Sequence, residues 1–209
     1  MSKAGSLALL LLKFISRMLF PSAFLLCQFM IAGCGFTVHP PSRPDDPAPV
    51  FLLDHGRHSS LVLPMSTDKM VRYSYGDWDW YALRQTGLAQ GSRTLFSPSP
   101  AALGRKKLRI SPSEEEVRLS VPVAIENVFL ISAEYQNVTR LRNKLEKIFE
   151  ENQHTLLHNP AFDLDFVRHP APYTLNNNSN TMVAKWLREL GADVLGNGPF
   201  SRWKIKENP

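Results

Sequence analysis

Short apolar runs separated by polar segments dominate the chain and predict a protein rich in β-strands. Such runs occupy residues 50–53, 60–63, 71–75, 108–110, 117–123 and 128–131, and their length favours strands over helices. Two other stretches predict irregular structure: residues 95–103, which contain two Ser-Pro dipeptides, and residues 162–173, which contain prolines.

Two amphipathic stretches predict helices that pack against these strands. The first begins at Ser132, and its apolar residues recur at a spacing of three to four from Tyr135 to Phe149. The second covers residues 179–190, and Gly191 stands where a glycine often ends a helix. Strands and helices mixed in this order predict a single α+β domain over residues 50–209, with a mostly antiparallel sheet packed by helices.

The N-terminus has the pattern of a targeting segment rather than of a folded element. Lys13 and Arg17 precede an apolar run that ends in Ile31-Ala32-Gly33-Cys34. A basic region, an apolar region and small residues are typical of a secretory signal, and the last four residues resemble the bacterial lipoprotein box. We therefore expect residues 1–33 to be a signal peptide and Cys34 to carry a diacylglycerol.

An uncleaved membrane anchor is the alternative interpretation of this N-terminus. Lys13 and Arg17 divide its apolar residues into two blocks, whereas a membrane-spanning helix needs about 20 consecutive apolar residues. The rival Cys27 follows two leucines, which are too bulky for lipoprotein cleavage. Cleavage would remove Cys27 and acylation would consume Cys34, so the mature chain would lack a free thiol.

The residues after Cys34 predict a spacer, and the charge distribution argues against a nucleic-acid partner. Five prolines lie among residues 37–50, so residues 34–49 predict an extended tether. The formal net charge is +5. Three basic residues and no acidic residue lie within residues 1–33, which leaves only +2 for the remainder of the chain.

Three polar segments carry candidate catalytic side chains. They contain His55 and His58, then Asp77, and then Ser179 at the start of the last helix. Ser179 suits two roles: a helix N-cap, or a nucleophile beside the unpaired N–H groups of the first turn. His58 is either structural or the base, with His55 ranked second. Asp77 is either a turn residue or the group that orients His58.

Two further patterns are weaker candidates for chemistry. His154 and His158 are four residues apart, which would suit a metal on one helix face, but the glutamate of the H-E-x-x-H motif is absent. Asp77 and Asp79 alternate with tryptophans, and such a carboxylate pair could act on sugars. Two cysteines are too few for a four-thiolate zinc site. We expect no metal and no cofactor.

The ordered blocks HGRHSSLVLP, YGDWDWY, LFSPSPAAL and NNSNTMVAKWLRELG, which follow an apolar strand, resemble a family of uncharacterised bacterial envelope proteins noted near urease genes. That family's layout looks like a circularly permuted papain-like fold, as in NlpC-like cell-wall peptidases and the lecithin:retinol acyltransferase group. The resemblance implies that His58 is the catalytic histidine and Asp77 a possible orienting residue. It matches Asn180, but Ser179 stands where cysteine is expected and Met182 where tryptophan is expected.

Two functions follow from this resemblance. The first is a hydrolase or acyltransferase that acts on cell-wall peptides or lipid acyl groups, with Ser179 as nucleophile and N–H groups near Asn180 holding the oxyanion. The second is a catalytically inactive binding or scaffolding lipoprotein on the same fold. For both, the expected partner is the membrane, reached through the lipid on Cys34. Gly35, in place of an aspartate, favours the outer over the inner membrane.

Overall fold

The computed structural model describes residues 35–84, 97–198 and 200–206. The predicted signal peptide and Cys34 lie outside these residues. From Gly35 onward the chain forms one compact unit.

Ten strands form two sheets within the described residues. The larger sheet contains β2 (Pro47–Asp54), β3 (Ser59–Ser66), β4 (Lys69–Asp77), β5 (Ser99–Leu108), β6 (Asn127–Glu134), β7 (Leu157–Asn159) and β8 (Leu164–Tyr173). Its order is β6-β2-β3-β4-β5-β8-β7, and every neighbouring pair is antiparallel. The smaller sheet contains β1 (Gly35–His39), β9 (Asp193–Asn197) and β10 (Trp203–Ile205). Its central strand β1 pairs antiparallel with β9 and parallel with β10.

Four α-helices lie among the same residues: α1 (Trp78–Tyr81), α2 (Glu114–Ser120), α3 (Tyr135–Glu151) and α4 (Ser179–Glu189). A short 3-10 helix, Gln153–Thr155, follows α3. Helices α3 and α4 bury their apolar stripes in the main core against one face of the large sheet. Helix α2 packs on the other face, where Val117 joins Phe51, Leu53 and Val62. The predicted α+β class with a mostly antiparallel sheet is confirmed.

The prediction of a tether over residues 34–49 is wrong. Residues 35–39 form β1, and residues 47–49 already belong to β2. The prolines fit because β2 pairs with β6 along its whole length but with β3 only from Phe51 onward. The missing N–H of Pro47 or Pro49 therefore costs no hydrogen bond on the β3 side, as expected for proline in a strand.

Three local predictions also differ from the structure. Residues 117–123 were expected to be a strand, but helix α2 covers most of them because Ser113 caps its N-terminus by accepting from the Glu116 N–H. The predicted loop 95–103 contains the first half of β5, and residues 95–96 lie outside the described part. The predicted irregular segment 162–173 is mostly β8. Its prolines lie where the pairing with β5 shifts register between Ala101 and Ser99.

Candidate functional site

The first turn of α4 is capped by Asn178 rather than by Ser179. The Asn178 side-chain oxygen accepts from the N–H groups of Asn180 and Thr181 at 2.9 and 3.0 Å. In return, the Thr181 hydroxyl accepts from the Asn178 N–H at 2.8 Å, which completes a capping box. The interpretation of Ser179 as the helix cap is therefore wrong. Two of the N–H groups near Asn180, where the sequence predicted an oxyanion site, are thus already hydrogen-bonded to the cap.

Asn180 joins the start of α4 to the segment that contains His58. Its side-chain amide donates to the Arg57 carbonyl at 3.2 Å, and its side-chain oxygen accepts from the Ser59 hydroxyl at 2.9 Å. The Ser59 hydroxyl also accepts from the Trp203 indole N–H at 2.7 Å. Asn180 and Ser59 are fully buried. One hydrogen-bonded chain thus joins β10, β3 and α4 on both sides of His58.

The His58 imidazole lies among aromatic rings. It stacks on His55 at a centroid distance of 4.7 Å and meets Tyr81 and Phe162 edge-on at 5.8 and 6.1 Å. Its Nε2 is buried and has no hydrogen-bond partner among the residues that the structure describes. Burial, followed by the nearby Arg72 guanidinium, lowers the pKa of His58 to about 4, so the ring is neutral at pH 7.

These aromatic contacts direct His58 toward the face of the sheet that α4 does not cover. Tyr81 and Phe162 pack on a cluster that includes Ala102 and Phe166. Those two residues alternate along their strands with Leu103 and Val167, which belong to the core beneath α4. Because successive strand residues point to opposite faces, His58 contacts the opposite side from Ser179. No hydrogen bond joins the two side chains.

His55 is held by a separate polar network and is not available as a base. Its Nδ1–H donates to the Ala124 carbonyl at 2.8 Å, and its Nε2 accepts from the Ser60 hydroxyl at 3.0 Å. The buried Arg72 contacts both Ser60 and His55, at 3.1 and 3.3 Å. Burial and then Arg72 lower the pKa of His55 to about 3. Its role is therefore to help bury Arg72, whose own pKa burial lowers to about 10.

Asp77 has partners other than the one expected. One carboxylate oxygen accepts from the Trp80 N–H at 2.9 Å and so caps α1, while the other accepts from the Ser99 hydroxyl. No hydrogen bond joins Asp77 to His58. Between them lies Tyr81, whose ring packs directly on the Cα of Gly76: a Cβ at Gly76 would lie 2.2 Å from that ring. The position is thus a glycine because the aromatic ring occupies the space.

The structure gives no support to the weaker chemical candidates. His154 lies in the 3-10 helix and His158 on β7, where it pairs with Asp165 at 2.8 Å, so the two histidines do not share a helix face. Within residues 35–84, 97–198 and 200–206, no group of three or more His, Cys, Asp or Glu side chains is placed to hold a metal ion. Asp79 lies in the first turn of α1.

Sequence reasoning missed the residues that organise this region: Asn178, Ser59, Arg72 and Tyr81. A signal existed only for Asn178, because an asparagine followed three residues later by threonine can form a capping box. The other three residues, Ser59, Arg72 and Tyr81, make contacts with segments that are distant in sequence. The sequence around each of them does not predict these contacts.

Comparisons with known proteins identified no relative from which a function of this site could be inferred. No family model, curated protein or solved structure matches the chain significantly. No helix in the described part is both long and apolar enough to cross a membrane.

Proposed function

We propose that this chain is a bacterial envelope lipoprotein, anchored through an acylated Cys34, whose permuted papain-like domain binds rather than cleaves. The observation that carries the second half of the proposal is the cap of α4. The Asn178 side chain occupies the N–H groups of Asn180 and Thr181, and an oxyanion that used these two groups would have to displace it. Oxyanion donors act by being free and oriented before the reaction begins.

The proton-transfer partners support the same conclusion. A serine hydroxyl needs a base close to it, and a general base is most effective with a pKa near the working pH. His58 has a pKa lowered to about 4, and its ring contacts Tyr81 and Phe162 rather than Ser179. Both oxygens of Asp77 accept hydrogen bonds elsewhere, so Asp77 is not placed to stabilise an imidazolium at His58.

Covalent labelling with a fluorophosphonate tests the catalytic half of this proposal. The full chain, its Ser179→Ala variant and a known serine hydrolase are treated side by side, and Ser179 is examined by mass spectrometry. We expect an adduct on the control enzyme and none at Ser179. A covalent adduct at Ser179 that disappears in Ser179→Ala would refute the inactive assignment.

Metabolic labelling with palmitate tests the anchor. Label should enter the full chain expressed in a bacterium and should be lost in the Cys34→Ala variant, which changes only the acceptor thiol. Equal labelling of the two chains, or no label in either, would contradict acylation of Cys34.

A hydrolase or acyltransferase is the second candidate, favoured by the hydrogen bonds of Asn180. These bonds hold both neighbours of His58 against the first turn of α4, and His58 Nε2 has no hydrogen-bond partner among the described residues. A base and a nucleophile would be assembled only if the His58 backbone moved so that the imidazole reached the side of the sheet on which Ser179 lies. A Ser179→Cys variant assayed on isolated cell wall and on lipid esters tests this candidate, because a thiol is ionised far more easily than an alcohol.

A further inference from the structure

We propose that one end of the small sheet docks directly on an anionic phospholipid surface. This end, the Gly35 end, comprises Gly35, Leu195, Asn197, Phe200, Arg202 and Lys204. The proposal rests on the acylation of Cys34 put forward above and extends it, because an anchor alone does not fix how the domain meets the bilayer.

The position of β1 leaves no spacer between lipid and domain. Cys34 is covalently bonded to Gly35, and Gly35 is already paired with Asn197 in the small sheet. The Phe36 N–H donates to the Arg202 carbonyl at 2.8 Å, which fixes the other side of the same strand. One residue extends the chain by at most about 3.6 Å. A lipid on Cys34 therefore brings the Gly35 end to the headgroups.

Two large apolar side chains, Leu195 and Phe200, are exposed near this end. Leu195 and Lys204 are both in register with Thr37, so the three share one face, while Phe36 and Trp203 are buried on the other. Leu195 is 54% exposed. Phe200, three residues before the start of β10, is 43% exposed, and the Arg202 guanidinium lies 5.9 Å from its ring centre.

Two basic residues lie near this end. Arg202 lies beside Gly35, and Lys204 is in register with Thr37 at the middle of β1. Asp193 is in register with His39 at the far end of the strand, roughly 13 Å from Gly35, which exceeds the Debye length at physiological salt. Basic groups beside an exposed leucine and an aromatic ring are the combination that favours an interface with anionic lipid.

An introduced cysteine reports whether this end meets the bilayer. Acylation and signal cleavage leave no other thiol in the mature chain, so a Leu195→Cys variant can carry a single polarity-sensitive fluorophore. Leu119→Cys is the matched control, because Leu119 is an exposed leucine on α2. The acylated chains are placed in vesicles of phosphatidylethanolamine with phosphatidylglycerol. We expect a blue shift of the emission at position 195 and none at position 119.

A charge variant tests the choice of anionic lipid. In the Leu195→Cys background, Lys204→Gln should lower the ratio of docked to undocked domain about fivefold, since one basic residue near an anionic surface contributes that much. Lys107→Gln, a change of the same kind at an exposed lysine on β5, should leave the ratio unchanged. In vesicles without phosphatidylglycerol, the chain with Lys204 and the Lys204→Gln variant should have the same ratio of docked to undocked domain.

The outcomes separate failure of docking from failure of the anchor. If palmitate does not label Cys34, the anchor is refuted and the docking proposal falls with it. If Cys34 is labelled but the probe at 195 emits as the probe at 119 does, the anchor stands and docking is overturned. Equal effects of Lys204→Gln and Lys107→Gln would overturn the recognition of anionic lipid.

Discussion

Replacing Asn180 by alanine would remove the side chain that joins α4 to the His58 segment. The variant leaves the buried Ser59 hydroxyl without its acceptor, and a buried polar group left unsatisfied costs about 1–3 kcal/mol. The Arg57 carbonyl loses a donor as well, but it lies in an exposed residue that water can reach, so this loss adds only about 0.5–1 kcal/mol. We therefore expect the free energy of unfolding to fall by about 1.5–4 kcal/mol.

Urea unfolding of the full chain measures this loss, with Asn137→Ala as the matched control. Asn137 is a partly exposed asparagine near the start of α3 that bonds only Arg140 among the described residues, and its replacement should change stability by less than about 0.5 kcal/mol. A double-mutant cycle with Ser59→Ala isolates the shared hydrogen bond: Asn180→Ala should cost about 1 kcal/mol less in that background. An Asn180→Ala variant as stable as Asn137→Ala would refute the linking role.

Two further variants test the surroundings of His58. The pKa of His58 is lowered from 6.5 to about 4 in the folded protein, so between these pH values the unfolded chain binds the extra proton and stability falls as the pH falls. His58→Gln should flatten this dependence by up to about 1.4 kcal/mol per pH unit in urea midpoints taken from pH 7 to 4.5, and an unchanged slope would contradict the buried neutral ring. Gly76→Ala should displace the Tyr81 ring and cost about 1–3 kcal/mol in thermal or urea unfolding, whereas wild-type stability would show that the ring does not need the space.

Helices and strands could be predicted where apolar residues repeat at a regular spacing. They could not be predicted where one proline or one capping residue determines the local structure. The buried stripe of α3 follows from its spacing alone, and the strands at residues 50–53, 60–63 and 71–75 follow from their apolar runs. The prolines of β2 and β8 led to wrong predictions of non-strand structure. A strand tolerates a proline where no neighbouring strand needs the missing N–H, so the outcome depends on the strand pairing. That information is present only in the pairing of the sheet.

The candidate site shows the same division. The sequence indicated that the His58 segment and the start of α4 carry the unusual residues, and Asn180 does join those two segments. It could not indicate which way His58 points, because a shift of one residue along a strand reverses the face. Residue type alone did not decide between Asn178 and Ser179 as the cap, since both types cap helices well; only the threonine three residues after Asn178 favoured Asn178.

The pairing of Phe36 with Trp203 means that the small sheet can form fully only after both ends of the domain have been synthesised. Of the strands in the described residues, the one made first on the ribosome has as its parallel neighbour the one made last. At about 5–20 residues per second, β1 waits roughly 10 to 30 s for β10 to be synthesised. Throughout that interval the nascent chain presents an unsatisfied backbone edge, which is a template for aggregation, and a holdase chaperone that covers this edge would raise the yield of folded protein.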